Sequence, residues 1–207
     1  MTMIRLTEVT CQQPGGARLF GSGLSVEVNP GLSFVRGGEG RGKTSLMRLL
    51  AGRLDPSSGR IERSPGLTVV WNDPADPQDE QMDSRSWLAA QRTCFPEWDD
   101  AALAQAIHAL GLGDHLSKRL FMLSTGTRRK LGLVVAQASN AQLVLLEHPW
   151  AALDARSREA VTGWLEERIL GQGACRTQAW VVADYDPPPG LHRELSTGRV
   201  RLIDLGD

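Results

Sequence analysis

The sequence predicts an α/β fold with a mainly parallel sheet covered by helices, antiparallel strands near the N-terminus, and a helical lobe inserted in the middle. Three observations carry this expectation. The apolar runs Leu143 to Leu146 and Ala179 to Ala183 have the unbroken character of strands buried on both faces. Segments with helical spacing alternate with the strands, as the crossovers of a parallel sheet require. A short apolar strand, Leu32 to Val35, runs directly into a glycine cluster, after which Leu46, Leu49, Leu50 and Leu54 recur at helical spacing.

Taken in order, Ile4 and Leu6, and then Leu24, Val26 and Val28, alternate with polar neighbours as half-buried strands do. Pro30-Gly31 turns the chain into the strand before the glycines. Gly52 interrupts the following helix near its end, and Asp55-Pro56-Ser57-Ser58-Gly59 is a turn into a short strand around Ile61. Another strand covers Leu67 to Trp71. Asp73 to Gln81, rich in Pro, Asp and Gln without period, is loop, and Ser84 or Ser86 is placed to cap a helix through Trp87 to Gln91. Helical spacing from Asp99 to Leu110, and a helix from Thr127 or Arg128 to Ala138, complete a lobe of about 74–139 within one domain of 1–207. The core, 1–73 and 140–207, then continues with a helix over Ala155 to Ile169 and a last short strand at Val200 to Ile203.

Composition narrows the function. With 41% hydrophobic residues among 207, the chain can bury a full core without disulfides or metal. Its 23 basic side chains face 24 acidic ones, so it lacks the basic excess of a protein that grips a phosphate backbone, and no nucleic acid partner is expected. No apolar stretch approaches the roughly 18–20 residues of a membrane span, and the start has no signal-like apolar core, which predicts a cytoplasmic protein. Cys11, Cys94 and Cys175 are widely separated and read as reduced thiols.

The glycine cluster carries the first chemistry. Gly37, Gly38, Glu39, Gly40, Arg41, Gly42, Lys43, Thr44 and Ser45 fit the phosphate-binding loop, with four residues between Gly37 and Gly42-Lys43-Thr44. Glycines let backbone N–H groups converge on phosphate without intruding Cβ atoms. Lys43 would reach the β- and γ-phosphates and Thr44 would place its hydroxyl on Mg²⁺. The following helix would offer its N-terminal amides and dipole.

Three later segments follow in order. Leu123-Ser124-Thr125-Gly126-Thr127, then Arg128-Arg129-Lys130, resembles the LSGGQ signature of ABC-transporter ATP-binding subunits. Leu143 to Leu146 followed by Glu147-His148-Pro149 resembles their Walker B strand, and Ala151-Ala152-Leu153-Asp154 resembles their D-loop. A small-molecule phosphotransferase would explain the phosphate loop but not the signature and D-loop. Within the family, the compact size and the opening segment look most like the heme-exporter subunits of cytochrome c maturation.

The resemblance implies a P-loop NTPase (RecA-like) core that binds ATP with Mg²⁺, held by Thr44 and Glu147. It also implies a homo- or heterodimer in which Ser124 and Gly126 of one chain meet the γ-phosphate bound by the other. The partner that forms the pathway would be a separate transmembrane permease, with this chain peripheral on the inner face of the cell membrane. Several positions depart from the family pattern. Thr125 and Thr127 replace Gly and Gln of the signature. Glu147 stands for the Walker B aspartate, and His148 for the glutamate that polarises water; Pro149 fixes that register. Tyr185 occupies the place of the switch histidine, with Asp184 one residue away. Only Asn72 or Asp73 is placed to serve as Q-loop glutamine, and Cys11 lies near the position of the adenine-stacking aromatic. The implied activity is therefore a slow ATPase with His148, Tyr185 and Glu147 at its catalytic end; the alternative is a catalytically impaired ATP-binding subunit with a structural or regulatory role.

Overall fold

The computed structural model describes residues 2–12, 18–71, 80–170 and 177–206. Asn72, Asp73 and Cys175 lie outside the described residues. Two compact units are present, one of Met1–Val69, Gln142–His148 and Glu166–Asp207, the other of Val70–Ala141 and Pro149–Leu165.

The described strands form two sheets. β1 (Ile4–Gln12) lies between β2 (Arg18–Val28) and β4 (Ser58–Arg63), antiparallel to both. The alternation seen in the sequence is the burial pattern of β1, where Ile4 and Leu6 are buried and Arg5 and Thr7 exposed. The second sheet has five strands. They are β3 (Gly31–Arg36), β5 (Val69–Trp71), β6 (Leu143–Glu147), β7 (Ala179–Asp184) and β8 (Arg201–Asp204), in the order β5-β6-β7-β3-β8. The pairs β3/β7, β3/β8 and β6/β7 are parallel. Phe34, Val144, Val181 and Val182 are fully buried, which explains why these strands read as continuous apolar runs. Each such side chain contributes about 1.5–3 kcal/mol by leaving water.

Register does the positioning. Arg36 lies opposite Asp184, and Glu147 opposite Ala183, so β3, β6 and β7 end together. Whatever follows those strands collects at one carboxyl edge, where ligands bind in open α/β sheets. From β3 the chain passes through Gly37 to Gly42 into α1 (Lys43–Ala51), which closes on Gly52 in the left-handed conformation (φ 73°). After β7 comes α6 (Pro189–Ser196), which apolar periodicity alone did not bring out because it is short.

The second unit is helical: α2 (Ser84–Arg92), α3 (Asp100–Ala109), α4 (Thr125–Ala138) and most of α5 (Ala155–Leu170). The cap of α2 is Asp83, not Ser84 or Ser86. Its carboxylate accepts from the Ser86 N–H (3.0 Å) and hydroxyl (2.8 Å), whereas Ser84 is buried and donates to the Lys118 carbonyl. α4 starts at Thr125, earlier than its apolar period suggests, because the Ser124 side chain caps it. No described helix is long and apolar enough to cross a membrane.

Candidate nucleotide site

Gly40 and Gly42 take positive φ (75° and 95°), a region that only glycine enters without strain, and this lets the chain reverse from β3 into α1. Close packing holds the loop from behind. A Cβ on Gly37 would sit 3.1 Å from Leu205 Cβ, and one on Gly42 3.1 Å from the Phe20 ring. The Gly38 N–H donates to the Gly206 carbonyl (3.1 Å). Glu39, Gly40 and Arg41 form the exposed tip. No side chain caps α1 and its first turn contains no acid. Among the described residues no side chain thus caps its N-terminal amides, as an anion-binding helix start requires.

Lys43 turns back over this loop. Its Nζ donates to the carbonyls of Gly37 (2.6 Å) and Gly38 (2.9 Å) and lies 4.1 Å from the centre of the Tyr185 ring. Burial pushes the ammonium below its ordinary value, opposed by the negative charges of Asp184, Glu147 and Glu39. Beside it, the Thr44 hydroxyl donates to Glu147 Oε1 at 2.5 Å, joining α1 to the end of β6. A hydroxyl and a carboxylate are hard oxygen donors of the kind Mg²⁺ takes. Among the described residues no group of three or more His, Cys, Asp or Glu is placed to hold a metal. An ion bound by Thr44 and Glu147 would thus complete its coordination with phosphate and water, the usual habit of Mg²⁺.

His148 follows Glu147 at positive φ (47°), a conformation that costs a side-chain-bearing residue on the order of 1–3 kcal/mol. Its backbone N–H donates to the Ala183 carbonyl (2.8 Å), and its Nδ1 lies 2.8 Å from Asp184 Oδ1. Tyr185, half exposed, stacks on the imidazole with ring centres 5.1 Å apart. The structure thus brings Lys43, Thr44, Glu147, His148 and Tyr185 together. It adds Asp184, a residue that the sequence alone had placed merely beside the switch position.

Phe20, which the sequence did not single out, and Cys11, which it placed near the adenine-stacking position, back the loop. Cys11 is buried, and burial pushes its thiol up against a hydrogen bond with Ser45 that lowers it. Buried and without a ring, it supplies no surface on which a base could stack. Phe20 takes φ 58° and presents its ring edge to Gly42. The signal for it was the leucine-phenylalanine pair before Gly21, which periodicity reads only as strand.

Ser124 and Gly126 belong to the second unit. The Ser124 hydroxyl accepts from the Thr127 N–H (3.1 Å) and lies 2.9 Å from Thr127 Oγ1. A hydroxyl that accepts in this way still has its own proton to donate. Gly126 is buried where a Cβ would fall 2.3 Å from the Ala152 carbonyl oxygen, so a glycine is required there by packing within the unit. The basic run after the signature is anchored in the same unit. Arg128 pairs with both Glu80 oxygens (2.6 and 2.5 Å), Arg129 donates to the Ala151 carbonyl (2.8 Å), and Lys130 Nζ reaches Asp154 (2.5 Å). Lys130 and the Ser157 N–H hold the Asp154 carboxyl well below the usual range. Asp154, the last residue of the segment that resembles a D-loop, caps the start of α5 by accepting from the Ser157 N–H (2.9 Å).

Strand, glycine loop and helix, with the carboxylate-ended strand β6 in the same parallel sheet, define a P-loop NTPase fold. The comparisons narrow the class. Residues 22–151 match the family described as ABC transporter. The cytochrome c biogenesis ATP-binding export protein CcmA of Novosphingobium aromaticivorans is 31% identical over 201 residues, covering 96% of this chain and 93% of that protein. The taurine import ATP-binding protein TauB of Pseudomonas fluorescens is 28% identical over 77% of this chain. The match spans 64% of TauB, under two thirds of its length. An ATP-binding protein of an ABC transporter from Pyrococcus furiosus superposes with a TM-score of 0.72 over 99% of this chain and 98% of its own, at 17% identity, a likeness of fold. The chain belongs to the ABC transporter family.

Proposed function

We propose that this chain is an ATP-binding subunit that couples ATP binding and slow hydrolysis to transport through separate membrane subunits. The observation that supports it most is the convergence on one sheet edge of Lys43, buried over the glycine loop, and the Thr44–Glu147 contact of 2.5 Å. The loop Gly37 to Ser45 and the start of α1 would cradle the phosphates, with Lys43 exchanging its bonds to the Gly37 and Gly38 carbonyls for phosphate oxygens. Thr44 and Glu147 would hold Mg²⁺, which neutralises charge on the β- and γ-phosphate oxygens when bound. In hydrolysis, water attacks the γ-phosphorus in line and the bond to the β–γ bridging oxygen breaks. Lys43 and the α1 amides stabilise the ADP oxygens that take up the electron pair. Ser124 and Gly126 of a second ATP-binding chain would close on the γ-phosphate.

Slow turnover follows from His148 and Tyr185. A side chain tied to Asp184 is placed to position the γ-phosphate, whereas no carboxylate occupies its place as a water-polarising base. Relatedness to CcmA, along nearly the whole of both chains, supports a heme-related export role in cytochrome c maturation, at the inner face of the cell membrane. The test is ATP affinity and turnover of the purified chain alone and with the membrane subunit encoded beside it. Turnover that appears only with the membrane subunit supports the coupled motor. Tight binding without turnover in either state supports instead a nucleotide-binding partner for a separate ATPase. His148→Ala should slow turnover further, and unchanged turnover would remove His148 from the site.

A further inference from the structure

The parallel register of β6 and β7 sets Glu147 opposite Ala183, so the residues that follow, His148 and Asp184, stand side by side. In the family pattern that the chain resembles, the carboxylate follows the first of these strands and the imidazole the second. Here His148 stands at the first of these positions and Tyr185 at the second, and the ring of His148 meets the carboxylate one residue before Tyr185, His148 Nδ1 to Asp184 Oδ1 at 2.8 Å. We infer that Asp184 is the positioning residue of His148: it fixes the imidazole through Nδ1 and thereby assigns Nε2 to the nucleotide.

The chemistry of the contact supports this. An ionised carboxylate can only accept, so Nδ1 is the protonated nitrogen and donates to Asp184. The tautomer of a histidine is set by the bond its other nitrogen makes, and carboxylate partners of this kind orient functional imidazoles. The same Asp184 oxygen accepts the Tyr185 N–H at 2.8 Å, so the carboxylate is itself held by the backbone beyond β7. His148 is held from two further sides, by its N–H on the Ala183 carbonyl and by the Tyr185 ring, which in turn lies over Lys43 Nζ. The ordered series Asp184, His148, Tyr185, Lys43 leads from the end of β7 to the phosphate loop within one unit. A pair serving only to strap two strands would need neither the positive φ of His148 nor the partly exposed position of its ring, whose side chain is 26% accessible.

This inference rests on the nucleotide assignment above, and its test separates the two. The full chain, labelled with ¹⁵N-histidine, is observed by long-range ¹H–¹⁵N correlation as wild type, Asp184→Asn and Asp184→Ala, with His148→Gln identifying the signal among the four histidines. Wild type and Asp184→Asn, whose amide oxygen can still accept, should show His148 with the proton on Nδ1; Asp184→Ala should shift it toward the Nε2-H form. Adding MgATP should move the Nε2 resonance in wild type and not in Asp184→Ala. In turnover with the membrane subunit, Asp184→Ala should lower kcat about ten- to hundredfold with little change in KM, and Asp184→Asn should recover most of that loss. The same tautomer in Asp184→Ala as in wild type overturns the inference. So does a wild-type chain whose loop amides from Gly37 to Ser45 respond to MgATP while Nε2 does not. If those loop amides fail to respond in every variant, the nucleotide assignment is what fails, and the tautomer comparison still decides whether Asp184 fixes His148.

Discussion

Gly126→Ala isolates the packing requirement hidden inside the signature segment. An alanine Cβ at this position falls 2.3 Å from the Ala152 carbonyl oxygen, well under the 3.0 Å that Cβ atoms respect, and 3.3 Å from the carbonyl carbon. The obstructing atom is backbone, held at a residue with φ 60°, and cannot rotate aside as a side chain would. Two effects oppose each other. Alanine is favoured over glycine in a helix by about 0.8–1 kcal/mol. Forcing atoms into a filled space costs about 1–3 kcal/mol, toward the upper end for an overlap with rigid backbone. The balance is a loss of about 1–2 kcal/mol. Gly163, inside α5 with nothing within 4 Å of where a methyl would sit, is the control: there alanine has only the propensity gain of about 1 kcal/mol. Urea unfolding of both variants, with equal slopes to show that the exposed surface is unchanged, gives the two signs directly. Thermal midpoints should move by about 2–4 °C per kcal/mol for a chain of this length. If Gly126→Ala shifts the midpoint in the same direction as Gly163→Ala, the close approach of Ala152 is not a constraint in solution.

Three more outcomes are expected. Lys43→Ala should abolish protection by MgATP against thermal unfolding, which in wild type reaches about 2.7 kcal/mol at a ligand concentration one hundred times Kd; protection retained in the variant would remove Lys43 from the phosphate site. Thr44→Val, which deletes the hydroxyl bonded to Glu147, should leave ATP binding measurable in EDTA but cancel its enhancement by Mg²⁺, as read by titration calorimetry. Asp154→Ala should cost about 1 kcal/mol through the lost α5 cap. Because Lys130 and Ser157 depress the Asp154 carboxyl, its stabilisation is present above the unfolded-state value near 3.9 and is lost as pH falls through the lower folded value. The side chain is 56% accessible, so this acid-limb effect is small and weakens with salt. An acid limb of the stability curve unchanged by Asp154→Asn would refute it.

The sequence by itself determined the elements that depend on local pattern. Unbroken apolar runs identify β6 and β7 because strands buried on both faces have no polar positions, and the glycines before Lys43 identify a loop that other residues cannot form. The order of signature, Walker B strand and D-loop gave the family, since that order is written along the chain. Short and irregular pieces were less legible: α6 has too few turns to show a period, and the cap of α2 depends on where the helix begins, which makes Asp83 the residue just before it. What only the tertiary structure decided is how separate pieces meet. That Gly126 answers to Ala152, that Thr44 reaches Glu147, and that the His148 imidazole meets the Asp184 carboxylate depend on strand register and on backbone approach. A residue's own sequence neighbourhood does not contain the partner that faces it from another strand, and at this site the partner sets the chemistry.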